Sequence, residues 1–316
     1  MSRAHAPAAL ALALLTALAC AGCGFGVAHR AGAVRLRVTE NFGARALGTL
    51  SLSKIPAGET DLSLLRRLYP KVATAAVPLG ATNSGVTSVD GHRANAPRRW
   101  VLFVNGVHAD KAASATRVHA GDQVWFDLHD GSAAPVISAV VGAFPEPFTN
   151  GINGQRYPTT IECSKGFRSG CATVTAELRR QGVVASPGAP GYGSGPDTLS
   201  INIGTWHDIY GEVAAQLIRY GPGPSGVYAR ILHGGRALAL QNAAGQTVRT
   251  LGSGWGLIAA TANSNDPAPT WFITGSDATG VRSALRALTP QALAGHFALA
   301  VHGGHRDPLP LPGGSS

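Results

Sequence analysis

The chain has 316 residues, 45% of them hydrophobic and only 14% charged, which excludes a disordered polymer and leaves material for roughly two domains of about 150 residues. Its 41 glycines and 20 prolines fall below the roughly 25–30% of Pro plus Gly that marks low complexity. The formal net charge is +9, yet Lys and Arg form no run longer than Arg66-Arg67, Arg98-Arg99 or Arg179-Arg180. That spread excludes the basic stripe of a nucleic-acid binder and leaves a diffuse positive field suited to anionic lipids or wall polymers.

Taken in chain order, Arg3 and His5 begin a leader whose Ala8–Ala19 stretch is all Ala and Leu with one Thr. Twelve residues fit a secretory core of 7–15 and are too few to span a bilayer. Ala19-Cys20-Ala21-Gly22-Cys23 follows, small residues before a cysteine, as a lipoprotein signal peptidase requires. Cys23 is the expected lipidation site and Cys20 the alternative. The pattern predicts a lipoprotein signal peptide over 1–22, a tether over 23–31, and a protein held by lipid on the outer face of the cell membrane. Beyond the leader and the anchor cysteine Cys23, only Cys163 and Cys171 remain. Eight positions apart in an oxidising compartment, they read as a disulfide loop, with two reduced buried thiols as the alternative.

Val34, Leu36 and Val38 alternate with Arg35, Arg37 and Thr39, which predicts a half-buried strand. Leu47–Leu52 predicts a second strand. Gly58–Asp61 offers an N-cap to a helix carrying Leu62, Leu65 and Leu68 that Pro70 ends. Val86–Val89 is a short strand. Trp100–Val107 is an apolar strand closed by the turn signal Asn105-Gly106, and Val124-Trp125-Phe126 continues after the Gly121-Asp122 turn. This order predicts a small β-grasp-like domain over 32–138.

The second half predicts an α/β domain over 139–302 with a mixed sheet and about three helices, so the whole is α+β. Its strands are expected at Val136–Val141, Tyr157–Cys163, Thr198–Gly204, Val227–Ile231, Ala237–Leu240, Trp255–Ala262, Trp271–Thr274 and Phe297–Val301. Its helices are expected at Ala172–Gln181, at His207–Tyr220 with Ile209, Val213, Leu217 and Tyr220 inward, and after Asp277. Ser186–Pro196 is a Gly/Pro-rich loop. The Pro/Gly/Ser composition of 303–316 predicts a disordered tail.

Trp100–Val107 with Ala120–Asp127 is similar to the transcobalamin-like β-grasp family catalogued as domain of unknown function 4430. The leader ending Gly22-Cys23-Gly24-Phe25-Gly26 resembles actinobacterial lipoproteins that carry it. Phe144-Pro145-Glu146-Pro147-Phe148 and Pro269–Gly275 resemble the region that follows in them. The resemblance implies an architecture and a ligand-binding or interaction role, and it transfers no catalytic residue.

No complete catalytic or cofactor motif appears. Gly275–Gly280 is followed by Val281-Arg282 and not Lys-Ser/Thr, so it is no phosphate loop, and Asp277 is expected to cap a helix there. No serine has glycine at both −2 and +2, and there is no His-Glu-x-x-His. The sequence therefore calls for no cofactor and no metal. Asp127 and His129 share a strand face, where they can orient a general base or end a strand. Trp100, Phe103 and Trp125 form either a platform for a flat or sugar-like ligand or part of the core. Trp100, Phe103, Asn105, Trp125, Asp127 and His129 are the candidate ligand-binding residues. The leading expectation is a non-enzymatic, lipid-anchored module that binds a small molecule or an anionic envelope polymer. The alternatives are an envelope hydrolase using Asp127 and His129, or a structural wall-associated protein.

Overall fold

The computed structural model describes residues 32–77, 84–191, 195, 197–262, 266 and 268–313. The leader, Cys20, Cys23 and the tether up to Ala31 lie outside the described residues. The fold is α+β.

The first half contains β1 (Val34–Glu40), β2 (Arg45–Leu52), α1 (Asp61–Leu68), β3 (Val72–Thr74), β4 (Val86–Val89), β5 (His92–Arg93), β6 (Arg98–Val104), β7 (Val107–His108) and β8 (Gln123–Asp130). Five of these strands form a sheet in the order β2-β1-β8-β6-β7, with β1 and β8 parallel and the other pairs antiparallel. The Thr60 hydroxyl caps α1 by accepting from Ser63 N. Leu62 and Leu65 then pack with Val34, Leu36, Trp100 and Phe126 beneath one sheet face. β3, β4 and β5 form a separate three-stranded patch.

The second half contains β9 (Thr159–Cys163), α2 (Arg168–Arg180), β10 (Ala185–Gly188), β11 (Leu199–Thr205), α3 (Trp206–Ile209), α4 (Val213–Arg219), α5 (Pro222–Ser225), β12 (Ala229–Leu232), β13 (Ala237–Gln241), β14 (Thr247–Leu251), β15 (Gly256–Thr261), β16 (Thr270–Gly275), α6 (Ala278–Ala287), α7 (Pro290–Leu293), β17 (Ala298–His302) and β18 (His305–Leu309). Its mixed sheet has the order β10-β9-β11-β16-β15-β17-β18, and β12, β13 and β14 form a side sheet. α2, α4 and α6 are the longer helices, and α3, α5 and α7 are single turns. Asp277 caps α6 by accepting from Thr279 N and Gly280 N.

The other face of the first sheet is not open. Phe42, Phe103 and Trp125 join Tyr228, Phe297 and Ala300 of the second half in one buried cluster. This explains why Trp100–Val104 is apolar at every position: Trp100 and Leu102 face α1, while Val101 and Phe103 face the second half.

Three expectations are corrected. The predicted helix over His207–Tyr220 is two helices, broken at Gly211 between α3 and α4, where glycine costs roughly 1 kcal/mol of helix propensity. The restart changes the phase, so Ala214, Ala215 and Ile218 turn inward while Val213 and Tyr220 are exposed. Val136–Val141 is not a strand, because β7 offers only Val107 as a bridge to Ala139, after which the chain turns through a 3-10 helix at Val141–Ala143. The tail is not disordered through its described part. Gly303 and Gly304 both take positive φ, the geometry of a two-residue hairpin turn, and β18 pairs with β17 until Leu309 is buried.

Candidate functional site

The six candidate residues of the first sheet are all buried, and they do not make one surface. Trp100 lies on the α1 side, its indole N–H donating to His92 O at 3.1 Å. Phe103, Trp125, Asp127 and His129 lie on the opposite side, against the second half. The flat-ligand platform is therefore split between two cores.

Asp127 and His129 do meet, with His129 Nδ1 2.7 Å from Asp127 Oδ1. The carboxylate also accepts from Phe42 N at 3.0 Å, from Gly43 N at 2.9 Å and from the Thr39 hydroxyl, so the ring nitrogen donates to it. Trp125 Nε1 donates to Thr39 Oγ1 at 2.7 Å. Asn41, Phe42 and Gly43 all have positive φ, and Asp127 holds that left-handed turn by its amides. Strained backbone of this kind persists where its surroundings over-determine it. Phe42 stacks on His129 at 4.5 Å and Phe297 meets the same ring edge-on. His129 Nε2 is buried without a hydrogen-bond partner, and no hydroxyl or thiol nucleophile is paired with it among the described residues. The pair fastens the β1–β2 turn to β8.

Asn105 is also a fastener. Its Nδ2 donates to Asp122 Oδ1 at 2.8 Å and to Gly151 O at 3.0 Å, and its Oδ1 accepts from Gln123 N at 2.9 Å. Asn150 Nδ2 returns a bond to Gly121 O at 3.0 Å. A Cβ on Gly121 would stand 2.8 Å from Asn150 Nδ2, so only glycine permits this approach. The same Asn150, with Thr149, donates to the buried Glu146 carboxylate. Burial lifts Glu146 to a pKa of about 7 against those hydrogen bonds, with Asp122 raising it further. The Asn105-Gly106 and Gly121-Asp122 turns thus join the first sheet to the Phe144–Gly151 segment.

A more open site lies in the second half. Chain connections leave β9 through α2 to β10 on one side and leave β11 toward β16 on the other. Adjacent parallel strands that lead in opposite directions make a topological switch point, and open α/β sheets bind ligands in the crevice outside the strand C-termini there. A cavity of about 510 Å³ occupies this place, lined by Ser164 and Lys165 after β9, Pro190 after β10, Thr205 at the end of β11 and Asp208 after it. The Cys163–Cys171 disulfide ties its floor to α2.

The face below this cavity is polar and buried. Ile161, Ile201, Ile203 and Ile273 point to α2 and α6, so alternation turns Glu162, Ser164, Asn202 and Thr274 to the other face. Strand register pairs Glu162 with Asn202 and Gly204 with Thr274. Gly204 carries no side chain between its neighbours: a Cβ there would stand 2.2 Å from Ser164 Oγ and 3.2 Å from Asp208 Oδ2. Ser164 Oγ, Thr274 Oγ1 and both polar atoms of the Asn202 amide have no hydrogen-bond partner among the described residues. Native proteins rarely leave such groups unpaired, and each cluster of them calls for an explanation.

Comparison with known proteins finds a family match within the first half of the chain. Residues 72–130 match the model of Domain of unknown function (DUF4430). The DUF4430 match runs from β3 to the end of β8 and contains Trp100–Val107 and Ala120–Asp127, while Gly22–Gly26, Phe144–Phe148 and Pro269–Gly275 lie outside it. No curated protein matches the chain. Among solved structures, a "putative metal binding protein from Ruminococcus gnavus" is similar at 17% identity, over 32% of this chain and 98% of that one, with a TM-score of 0.26. A score so low carries no argument about this protein. Among the described residues no group of three His, Cys, Asp or Glu side chains is placed to hold a metal ion.

Sequence reasoning named the DUF4430 turn residues but missed Ser164, Asn202 and Thr274. Their signal was present as polar residues alternating with Ile201, Ile203 and Ile273. Alternation of that kind ordinarily marks a solvated face, whereas here α3 and the second core lie over the sheet.

Proposed function

We propose that this protein is a lipid-anchored, extracytoplasmic binding module that holds a small molecule in the crevice at the ends of β9 and β11. The observation that carries the reading is the buried, unpartnered Ser164 hydroxyl that lines this cavity at a switch point. Buried polar groups cost about 1–3 kcal/mol each when unsatisfied, and a ligand supplying their partners offsets that cost. The cavity volume suits a small ligand, since such pockets run from about 300 to 1,000 Å³. The binding duty belongs to the second half, because the first sheet spends its free face on the interface with Tyr228 and Phe297. The apolar leader and Cys23 support the anchor, and the diffuse positive charge suits an anionic bilayer surface.

Untargeted mass spectrometry of small molecules released from the protein purified from native membranes tests the binding reading. A compound recovered reproducibly with wild type and depleted in Ser164→Ala is expected. Recovery of nothing reproducible counts against it. Palmitate labelling tests the anchor: Cys23→Ala should abolish it, and unchanged labelling would move the lipid to Cys20.

A further inference from the structure

We infer that a second site, separate from the crevice after β9 and β11, lies at the margin of the joint between the halves, in a groove across β2, β1 and β8 that takes a phosphate group. β1 pairs Arg35 with Ser51 of β2 and Gln123 of β8, and pairs Arg37 with Thr49 and Trp125. Register therefore sets two rows of side chains on one sheet face, with the two arginines in the middle column roughly 7 Å apart along the strand. All six residues line a groove of about 250 Å³, which Gly142 and Ala143 close on the side of the second half. The second half packs on this face over Phe103 and Trp125. The β1–β2 margin stays open, with Arg35, Thr49 and Ser51 exposed and Arg37 half-buried.

Arg37 is the anchor of the site. Its guanidinium lies 5.7 Å from the centroid of the Trp125 ring. It also lies so close to Gly295 that a Cβ there would stand 2.4 Å from Arg37 Nη1. Held in this way, it loses little freedom when an anion binds. Burial lowers its pKa with no carboxylate acting against the shift, and its field adds to burial in holding His296 below its ordinary value. Among the described residues neither the Arg35 nor the Arg37 guanidinium has an ion-pair or hydrogen-bond partner, and no carboxylate lines the groove. A guanidinium fork matches phosphate oxygens. Two forks balance the charge of about −1.5 to −2 on a phosphate monoester, and the Thr49 and Ser51 hydroxyls add donors on the β2 flank. The groove is smaller than the roughly 300–1,000 Å³ of pockets that enclose a whole small molecule, so it suits one such group with the rest of its molecule in solvent.

The test is calorimetry on the detergent-solubilised full chain with glycerol 3-phosphate and inorganic phosphate, against acetate and glucose. Saturable binding of both phosphate probes is expected. Arg37→Ala should weaken it about tenfold or more, the worth of a charge-assisted hydrogen bond. Arg35→Ala, at an exposed position that the fold does not need, should weaken it a few-fold and serves if the Arg37 variant fails to fold. Arg306→Ala removes the same charge from an exposed position on β18 and should leave binding unchanged. Equal weakening by Arg35→Ala and Arg306→Ala would overturn the site in favour of a diffuse field. Acetate or glucose binding as tightly as the phosphates would overturn the ligand class, and no saturable phosphate binding would overturn the proposal. Repeating the glycerol 3-phosphate titration in phosphatidylcholine and phosphatidylglycerol vesicles separates the sources. Binding blocked only by phosphatidylglycerol assigns the groove to a lipid headgroup, and binding retained in both assigns it to a free phosphate ester.

Discussion

Glu146 offers a quantitative test of the joint between the two halves. It is 3% exposed and accepts from Asn150 N at 2.8 Å and Asn150 Nδ2 at 2.6 Å, as well as from the Thr149 hydroxyl. Burial raises its pKa from the ordinary 4.5 to about 7. The folded protein therefore keeps a proton through the window from 4.5 to 7 in which the unfolded chain has lost it. Stability must fall as pH rises through that window, because the folded state binds more protons there. The gap corresponds to about 3 kcal/mol, present as a penalty above pH 7 and absent below 4.5. Glu146→Gln removes the titration. Its amide oxygen can keep the Asn150 N–H bond while its amine meets the Thr149 hydroxyl, which can accept. Any mismatch with Asn150 Nδ2 is independent of pH. Urea melts of both proteins from pH 4.5 to 8 should show the variant-minus-wild-type difference rising by about 3 kcal/mol. Subtraction cancels every other titrating group. A difference that stays level across this range would refute the assignment of a buried, proton-holding carboxyl at the joint.

Other outcomes follow from the same contacts. His108 is held neutral by burial, with Arg99 and His129 adding to the effect, at a pKa of about 4. Its contribution has the opposite sign: wild type loses stability as pH falls from 6.5 to 4, and His108→Phe should gain about 3 kcal/mol relative to wild type over that range in the same melts. Replacing both Cys163 and Cys171 by serine opens an eight-residue separation and should cost roughly 2–3 kcal/mol by loop entropy, read by melting with and without reductant. Phe297 meets Phe42, Phe103, Trp125 and His129, so Phe297→Ala should destabilise by about 3–5 kcal/mol. A loss below 1 kcal/mol would mean that the two halves do not share a core.

The elements whose chemistry is local were legible in the sequence. Val34, Leu36 and Val38 alternate because one face of β1 lies over α1, and Asp277 caps α6 through its own carboxylate. What failed to show was tertiary. Gly211 breaks a helix whose apolar spacing ran straight through it, and Gly303-Gly304 turns a tail of loop composition back into the sheet. Asp127 and His129 were correctly placed on one face. Their surroundings depend on Phe42 and Phe297, which lie 85 positions before Asp127 in the chain and far beyond it, so no local pattern could report them.

The same reasoning explains why the binding proposal moves away from the residues that first drew attention. A sheet with one helix below it has a second face to use. Phe103, Trp125 and the Asp127–His129 pair occupy that face, and large aromatics there would suit a ligand if solvent reached them. Here Tyr228 and Phe297 reach them first. Such a packed interface closes the face to a ligand unless the halves separate, which would expose the whole aromatic cluster to water. The second sheet closes one face with α2 and α6 and packs the other under α3 and the shared core, and a crevice opens past its strand ends, where Ser164 lines it. The DUF4430 turns and the aromatic face hold the two halves together, which is why the binding site proposed above lies at the strand ends of the second half.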